Sequence, residues 1–450
     1  MTRTRRLLTV LVVLAGAFVF LWRLGVESST GDELVYRDAG VAYVHGDFRA
    51  NLEHPPLAKF LIGLGHLAFG GSLTADRLPS ALMGLATGGV LFCVARRIGG
   101  PWAGLTAMLL WYFLPLHPGV VEAHVGRQAT LEMPLLFFTA CAVWAAQVVA
   151  AQPSWWRWAV FGAAVGAATA TKLTGASVAV VVLAAWAAHP RKVGGALLAG
   201  VTAVVVFLAT YLPFGAEAPD AVRTVVQWQL DHAGRGAVQH IAGQNHLFPP
   251  WWSAWWFQSR YLGWAALVAL WTSALLGAAL VRRVSTAVVA TAVVGFTVAV
   301  VVSPLKLPQY HDVLAPPLVA LAAVGLTRLV TSRAWPVAAV LALPLVVACA
   351  GQLGTVATTR TADYALLAPN LRDLPAGTTV VSWADTGTLQ RAAPQVTVVG
   401  PGAVDCSAAL VVDPTIANRI PGADLDGWLR QCGGTVERFD RLELVRPVNR

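Results

Sequence analysis

Long apolar stretches recur down this chain, and they constrain its fold more than any motif does. A helix needs about 20 apolar residues to cross the hydrocarbon of a bilayer. Eleven segments approach that length: 7–24, 77–96, 102–116, 131–150, 156–171, 175–188, 194–214, 261–281, 286–303, 313–329 and 335–351. The third and sixth are short, which suits tilted or enclosed helices. The residue balance agrees with this pattern. Hydrophobic residues make up 56% and charged residues 12%, where a soluble domain carries about 25% charged. A soluble enzyme, a disordered chain and a fibrous repeat are excluded. A polytopic membrane protein is expected, mainly α, as a bundle of about eleven transmembrane helices.

Basic residues orient the spans. With the N-terminus in the cytoplasm, the inner ends carry Arg3, Arg5 and Arg6, then Arg96 and Arg97, Arg157, Arg191 and Lys192, Arg282 and Arg283, and Arg328 and Arg333. The thirteen acidic residues before 351 all fall on the opposite, outer side. Seven lie between Glu27 and Asp76, and Glu122 and Glu132 flank the next outer turn. An odd number of spans puts the tail outside. Arg3–Arg6 before an apolar run also suits a signal peptide, but no small-x-small cleavage site precedes the charged loop, so an uncleaved first helix is expected. The net charge of +9 belongs to the membrane part, and no basic stripe interleaves with aromatics, so no nucleic-acid partner is expected. Four Lys against 28 Arg suggest a GC-rich coding bias rather than a physical need.

Two outer loops are long enough for function. The first, 25–76, opens with Gly31-Asp32-Glu33 and continues to Asn51-Leu52-Glu53-His54-Pro55-Pro56-Leu57-Ala58-Lys59. From Leu57 the apolar positions follow helical spacing for about fourteen residues, too few to span, so an interfacial helix is expected. A carboxylate just outside a bilayer can act as general base on a hydroxyl, and neighbouring cations can stabilise a phosphate leaving group. A solvated acidic loop with an amphipathic anchor accounts for the same residue types. The second long loop, 215–260, holds His232, His240 and His246, then Trp251, Trp252, Trp255 and Trp256. The Trp group reads as an aromatic belt or as a wall for a lipid or sugar. The three His with Glu53 could hold a divalent metal, but their spacing fits no recognised signature, so a metal is not favoured and no other cofactor is expected.

The order of these features resembles the protein O-mannosyltransferases and the bacterial aminoarabinose transferases, of the GT-C superfamily of polyprenyl-phosphate-sugar-dependent glycosyltransferases. Asp32-Glu33 follows the first span, and Glu53-His54-Pro55-Pro56-Leu57-Ala58-Lys59 comes next. Arg77-Leu78-Pro79-Ser80, then Gly126-Arg127 before Ala129-Thr130-Leu131-Glu132-Met133-Pro134, then Ala170-Thr171-Lys172-Leu173-Thr174-Gly175, then Lys306-Leu307-Pro308-Gln309-Tyr310-His311 recur in order over residues 1–330. His54 stands where aminoarabinose transferases usually show Lys, which leans toward the mannosyl branch. Glu132 stands where many members have Asp.

The resemblance implies inverting transfer of a mannose-like or arabinose-like sugar from a polyprenyl-phosphate donor to a hydroxyl of a protein, lipid or glycan acceptor on the outer face. It points to Asp32 as the base and Glu33 as its positioning neighbour. Arg127, Lys306, Tyr310 and Lys59 are candidates for the donor phosphate and lipid. Glu53, His54, Glu132 and Lys172 are further candidates, and Lys172 also suits neutralisation of a carboxylate inside the bundle. A transporter, or an inactive scaffold of the same fold, are the alternatives.

The tail changes character. Residues 378–383, 395–399, 408–412, 435–439 and 442–445 read as short strands and 424–431 as a helix. A catalytic membrane domain over 1–352 and a small extracytoplasmic α/β domain over 353–450 are expected. In that compartment Cys406 and Cys432 are free to pair. The expected location is the bacterial plasma membrane, multi-pass.

Overall fold

The computed structural model describes residues 3–26, 31–116, 125–359, 364–401, 406–417, 420, 423–440 and 442–446. Glu27 and Glu122 of the outer acidic set lie outside them. The chain divides into two compact units, one of residues 1–24, 36–237 and 248–358, the other of 25–35, 238–247 and 359–450.

The first unit is helical. Its helices are α1 (Arg3–Leu21), α2 (Asp32–Val44, whose first turn falls in the second unit), α3 (Leu57–Phe69), α4 (Leu73–Gly99), α5 (Pro101–Phe113), α6 (Glu132–Ala151), α7 (Trp155–Thr171), α8 (Val180–Ala187), α9 (Val193–Ala209) and α10 (Ala218–Arg235). They continue as α11 (Ser253–Leu262), α12 (Trp264–Leu280), α13 (Val284–Val302), α14 (Ala315–Val330) and α15 (Trp335–Ala357). Each of the eleven apolar segments is largely helical. Among the described residues, six helices are long and apolar enough to cross a membrane, or up to eight if each bent pair is one span. The difference from eleven has local causes. α5 has 13 residues and α7 has 17. The segment before α8 is a 3₁₀ turn over Leu173–Ala179. The chain bends by 83° between α9 and the Leu212–Arg235 segment, and by 113° between α11 and α12. At the second bend Gly263 takes φ +72, a conformation that a side chain resists.

α14, with the 3₁₀ turn that leads into it (Pro308–Val330), lies at the centre of the bundle and has 83% of its apolar window buried, whereas α1 and α15 bury 17% each and leave most of their apolar surface for lipid. Close approach between helices depends on missing side chains. A Cβ on Gly277 would collide with the backbone of Leu321 on α14, and one on Gly325 with the backbone of Ser273 on α12. Small residues let helices approach and gain dispersion contacts where lipid is as apolar as the side chains. The α4–α5 hairpin is cross-linked by Trp111 Nε1 donating to Gly84 O at 2.8 Å and Tyr112 Oη donating to Leu85 O at 2.8 Å.

The sequence expects one helix, from Leu57, in the 25–76 loop and names none in 215–260; α3 is that helix, and the structure adds α2 to the first loop and α10 and α11 to the second. In the first, α2 and α3 are tied to α4 through Asp76, a fully buried carboxylate in the first turn of α4. It pairs with Arg37 of α2 at 3.1 Å and His66 of α3 at 2.7 Å. Removing either partner would leave a buried charge, which is costly.

The second unit holds a two-stranded hairpin, β1 (Gln239–Ile241) and β2 (Gln244–His246). It also holds a five-stranded mixed sheet of β3 (Thr379–Trp383), β4 (Thr397–Val399), β5 (Ala409–Val412), β6 (Thr435–Phe439) and β7 (Leu442–Arg446), in the order β4-β3-β5-β7-β6. β3 pairs in parallel with β4 and β5, and β5, β7 and β6 pair antiparallel. Cys406 and Cys432 form a disulfide across 26 residues.

Candidate active site

The Glu53-His54-Pro55-Pro56 turn is held from within the first unit. Pro56 caps α3. One turn later Lys59, completely buried, points back along the loop. Its ammonium donates to Asn51 O, to Asn51 Oδ1 at 3.3 Å and to His54 O at 2.7 Å. Asn51 sits at φ +48, a left-handed conformation that asparagine tolerates and most residues resist. Lys59 satisfies the carbonyls which that conformation turns inward. The Tyr43 ring lies 5.3 Å below the ammonium. Burial pulls Lys59 down to about 7, against the opposing pull of Glu53. Tyr43, Phe48, Phe60 and Phe214 pack together beneath the loop, and Arg49 pairs with Glu217 at 3.0 Å, joining the first outer loop to the second.

His54 is thereby fixed in place. Gln229 on α10 donates to Glu53 O at 2.9 Å and lies 3.1 Å from His54 Nδ1. Because the amide donates, Nδ1 accepts, and the ring proton sits on Nε2. Tyr36 and Trp228 flank the imidazole, with ring centroids at 5.8 and 5.6 Å. Burial, reinforced by the ammonium groups of Lys172 and Lys59, pushes His54 well below its ordinary value of 6.5. It is neutral at physiological pH.

Glu132, in the first turn of α6, and Lys172, the residue that ends α7, form a buried ion pair at 2.7 Å. The Lys172 ammonium also lies 4.6 Å from the centre of the Tyr310 ring. Sequence segments far apart therefore meet: His54 of the first outer loop, Glu132 and Lys172 at the ends of two spans, and Tyr310 before α14. Tyr36, Trp228 and Gln229 were not legible as site residues. The only available sign was the amphipathic spacing of 218–235, which reads equally as a surface helix.

Other candidates lie elsewhere. Asp32 and Glu33 open α2, with Asp32 exposed and Glu33 buried. Helical residues next to each other in sequence point about 100° apart. Arg127 is buried and faces α1. It donates to Val19 O at 2.8 Å and Trp22 O at 2.7 Å, and Arg77 donates to Leu24 O at 2.8 Å. Two guanidinium groups thus satisfy carbonyls that a helix end leaves without partners. Gly126 precedes Arg127 because the Phe20 ring occupies the space where a Cβ would stand. Lys306 donates to Ser303 O, and burial lowers its pKa. Lys306 and Tyr310 therefore engage different groups. Trp251 is exposed, while Trp255 packs between Trp251 and Trp271. His240 bonds Asn245 within the hairpin at 2.9 Å. Among the described residues no three His, Cys, Asp or Glu side chains gather as metal ligands would.

Residues 53–216 match the sequence model of the dolichyl-phosphate-mannose-protein mannosyltransferases. No curated protein matches the chain. Among solved structures, ArnT from Cupriavidus metallidurans bound to undecaprenyl phosphate superposes with a TM-score of 0.65 at 18% identity, covering 99% of this chain and 98% of that one. The oligosaccharyltransferase of Archaeoglobus fulgidus superposes with a TM-score of 0.61 at 12% identity, covering 99% of this chain and 74% of that one. The chain has the fold of the GT-C glycosyltransferases and is a multi-pass membrane protein.

Proposed function

We propose that this chain transfers a sugar from a polyprenyl-phosphate donor to a hydroxyl acceptor, with inversion, outside the cytoplasm. The observation that carries this reading is the grouping of buried His54, Glu132 and Lys172, with the half-buried Tyr310 ring against the Lys172 ammonium. Its first three members lie within the segment that matches the mannosyltransferase family. The similar ArnT fold was solved with undecaprenyl phosphate bound.

In the proposed reaction, the acceptor oxygen bonds to the anomeric carbon while its proton passes to Asp32. The bond from that carbon to the phosphate oxygen breaks, and its electron pair leaves with the polyprenyl phosphate. A phosphate is a good leaving group at neutral pH, so no general acid is required. Glu33 positions Asp32 or binds sugar hydroxyls. Lys172 is the cation suited to the leaving phosphate, and Glu132 holds it in place. The neutral His54 offers its Nε2 proton as a donor without adding a charge that must be desolvated.

The mannose-like sugar follows the family match. The reading puts the C-terminal unit outside the cytoplasm, and the Cys406–Cys432 disulfide supports an oxidising compartment for it. The test is release of radiolabelled sugar from polyprenyl-phosphate mannose by the purified protein, with the anomeric configuration of the product read by NMR. Turnover with inversion is expected. Retention of configuration, or uptake of solute into vesicles without cleavage of the donor, would defeat the reading.

A further inference from the structure

A cavity lies where the far ends of α4 and α6 meet the start of α13. Gln147 stands 15 residues after Glu132 on α6, about 22 Å along the helix, and Arg97 stands 21 residues after Asp76 on α4, about 32 Å. Between these ends and the start of α13 is a cavity of about 340 Å³ lined by Arg97, Gln147, Ala151, Val284 and Ser285. Gln147 is 1% exposed. Its amide nitrogen donates to Ser285 O at 3.1 Å and Val94 O at 3.4 Å, and its buried Oε1 has no donor. Arg283 reaches across to the Arg97 carbonyl at 3.5 Å, and Arg96 and Arg282 adjoin on either side.

The charge around this cavity has one sign. The sequence carries no Asp or Glu between Asp76 and Glu122, between Glu132 and Glu217, or between Asp231 and Asp312. The four arginines therefore have no carboxylate from their own helix ends to pair with. A buried amide oxygen without a donor, in a wall beside exposed guanidinium groups, asks for a ligand that is both anionic and hydroxylated.

We infer that this cavity binds the phosphodiester headgroup of an anionic bilayer lipid bearing a glycerol hydroxyl, in the leaflet opposite the His54–Lys172 cluster. The phosphate faces Arg97 and Arg283, and the hydroxyl donates to Gln147 Oε1. Guanidinium groups suit phosphate oxygens through paired N–H donors.

The test uses the full chain in detergent, with lipid binding read by native mass spectrometry and by thermal unfolding. Phosphatidylglycerol should bind saturably and raise the unfolding midpoint, and phosphatidylcholine should not. Each surface arginine contributes about fivefold to attraction of anionic lipid, so Arg97→Gln with Arg283→Gln should weaken phosphatidylglycerol binding about 25-fold. Gln147→Met should abolish the preference for phosphatidylglycerol over phosphatidic acid, which lacks the hydroxyl. If the double arginine variant fails to fold, the Gln147→Met comparison still decides. Equal phosphatidylglycerol affinity in parent and variants, or phosphatidylcholine binding as tightly, overturns the site. Free glycerol 3-phosphate binding as tightly as phosphatidylglycerol overturns the assignment to a bilayer lipid.

Discussion

The Glu132–Lys172 pair can be made to reveal whether it works on a substrate or only holds two helices. Its side chains are 7% and 4% exposed and its charges lie 2.7 Å apart. At an effective dielectric of about 20, the attraction is roughly 6 kcal/mol, and much of it offsets the desolvation of both ions. Removing one partner leaves the other buried without its counter-charge at 2.7 Å, at a cost of about 3–5 kcal/mol. Lys172→Met should therefore lower stability by that amount, as should Glu132→Leu. The double variant replaces the pair with apolar volume and should recover most of the loss, since such exchanges are often neutral. Stability is read by denaturant titration in detergent, and transfer by radiolabelled sugar release from the same samples. The reasoning requires a split: near-parent stability in the double variant with transfer still lost. If the double variant regains transfer as well, the pair is a strut and the phosphate contact belongs elsewhere. If the single variants are as stable as the parent, the burial argument itself is wrong.

Asp32→Asn keeps the shape and removes the basicity; donor binding should persist while transfer falls about 10²–10⁴-fold, and near-parent turnover would move the base to Glu33 or Glu53. Arg127→Ala should destabilise the protein by about 2 kcal/mol or more through orphaned carbonyls, with Arg127→Lys restoring only part, because one ammonium cannot reproduce the guanidinium's fork; unchanged thermal unfolding of Arg127→Ala would refute its anchoring of α1. For His54 the folded pKa lies below the unfolded 6.5. The unfolded chain then binds the extra proton as pH falls through 6.5, and stability is lost below that pH at up to about 1.4 kcal/mol per unit. His54→Gln should flatten the fall in unfolding midpoint between pH 7 and 5.5, and an identical fall in parent and variant would show that His54 is not buried neutral.

Much of the fold was readable because its signals are local. Short runs rich in Val located five strands of the C-terminal sheet to within a few residues, and Leu57–Phe69 announced itself by helical spacing after Pro55-Pro56. What failed was length: a hydropathy pattern cannot register the 3₁₀ turn before α8 or the break at Gly263, so it counts spans where the chain bends. The site was legible only in part. Residue types suggested that Lys172 would neutralise a carboxylate, and Glu132 proves to be its partner. The partners of Arg127, which lie more than 100 positions earlier in the chain, and the contact of Gln229 with His54 depend on tertiary approach. No local pattern encodes that approach.

The two arginines at the end of α1 carry a consequence for biogenesis. A chain made from its N-terminus delivers α1 to the membrane long before Arg77 and Arg127 leave the ribosome, so Val19, Trp22 and Leu24 first present bare carbonyls. At that stage water or lipid headgroups must solvate them, which favours a helix end riding high in the headgroup layer. Synthesis of the Val125–Arg127 turn about a hundred residues later supplies the internal donors that let this end settle. α1 thus reaches the bilayer before the side chains that fix its depth exist, and a nascent chain arrested before residue 127 should leave its outer end accessible to water-soluble probes.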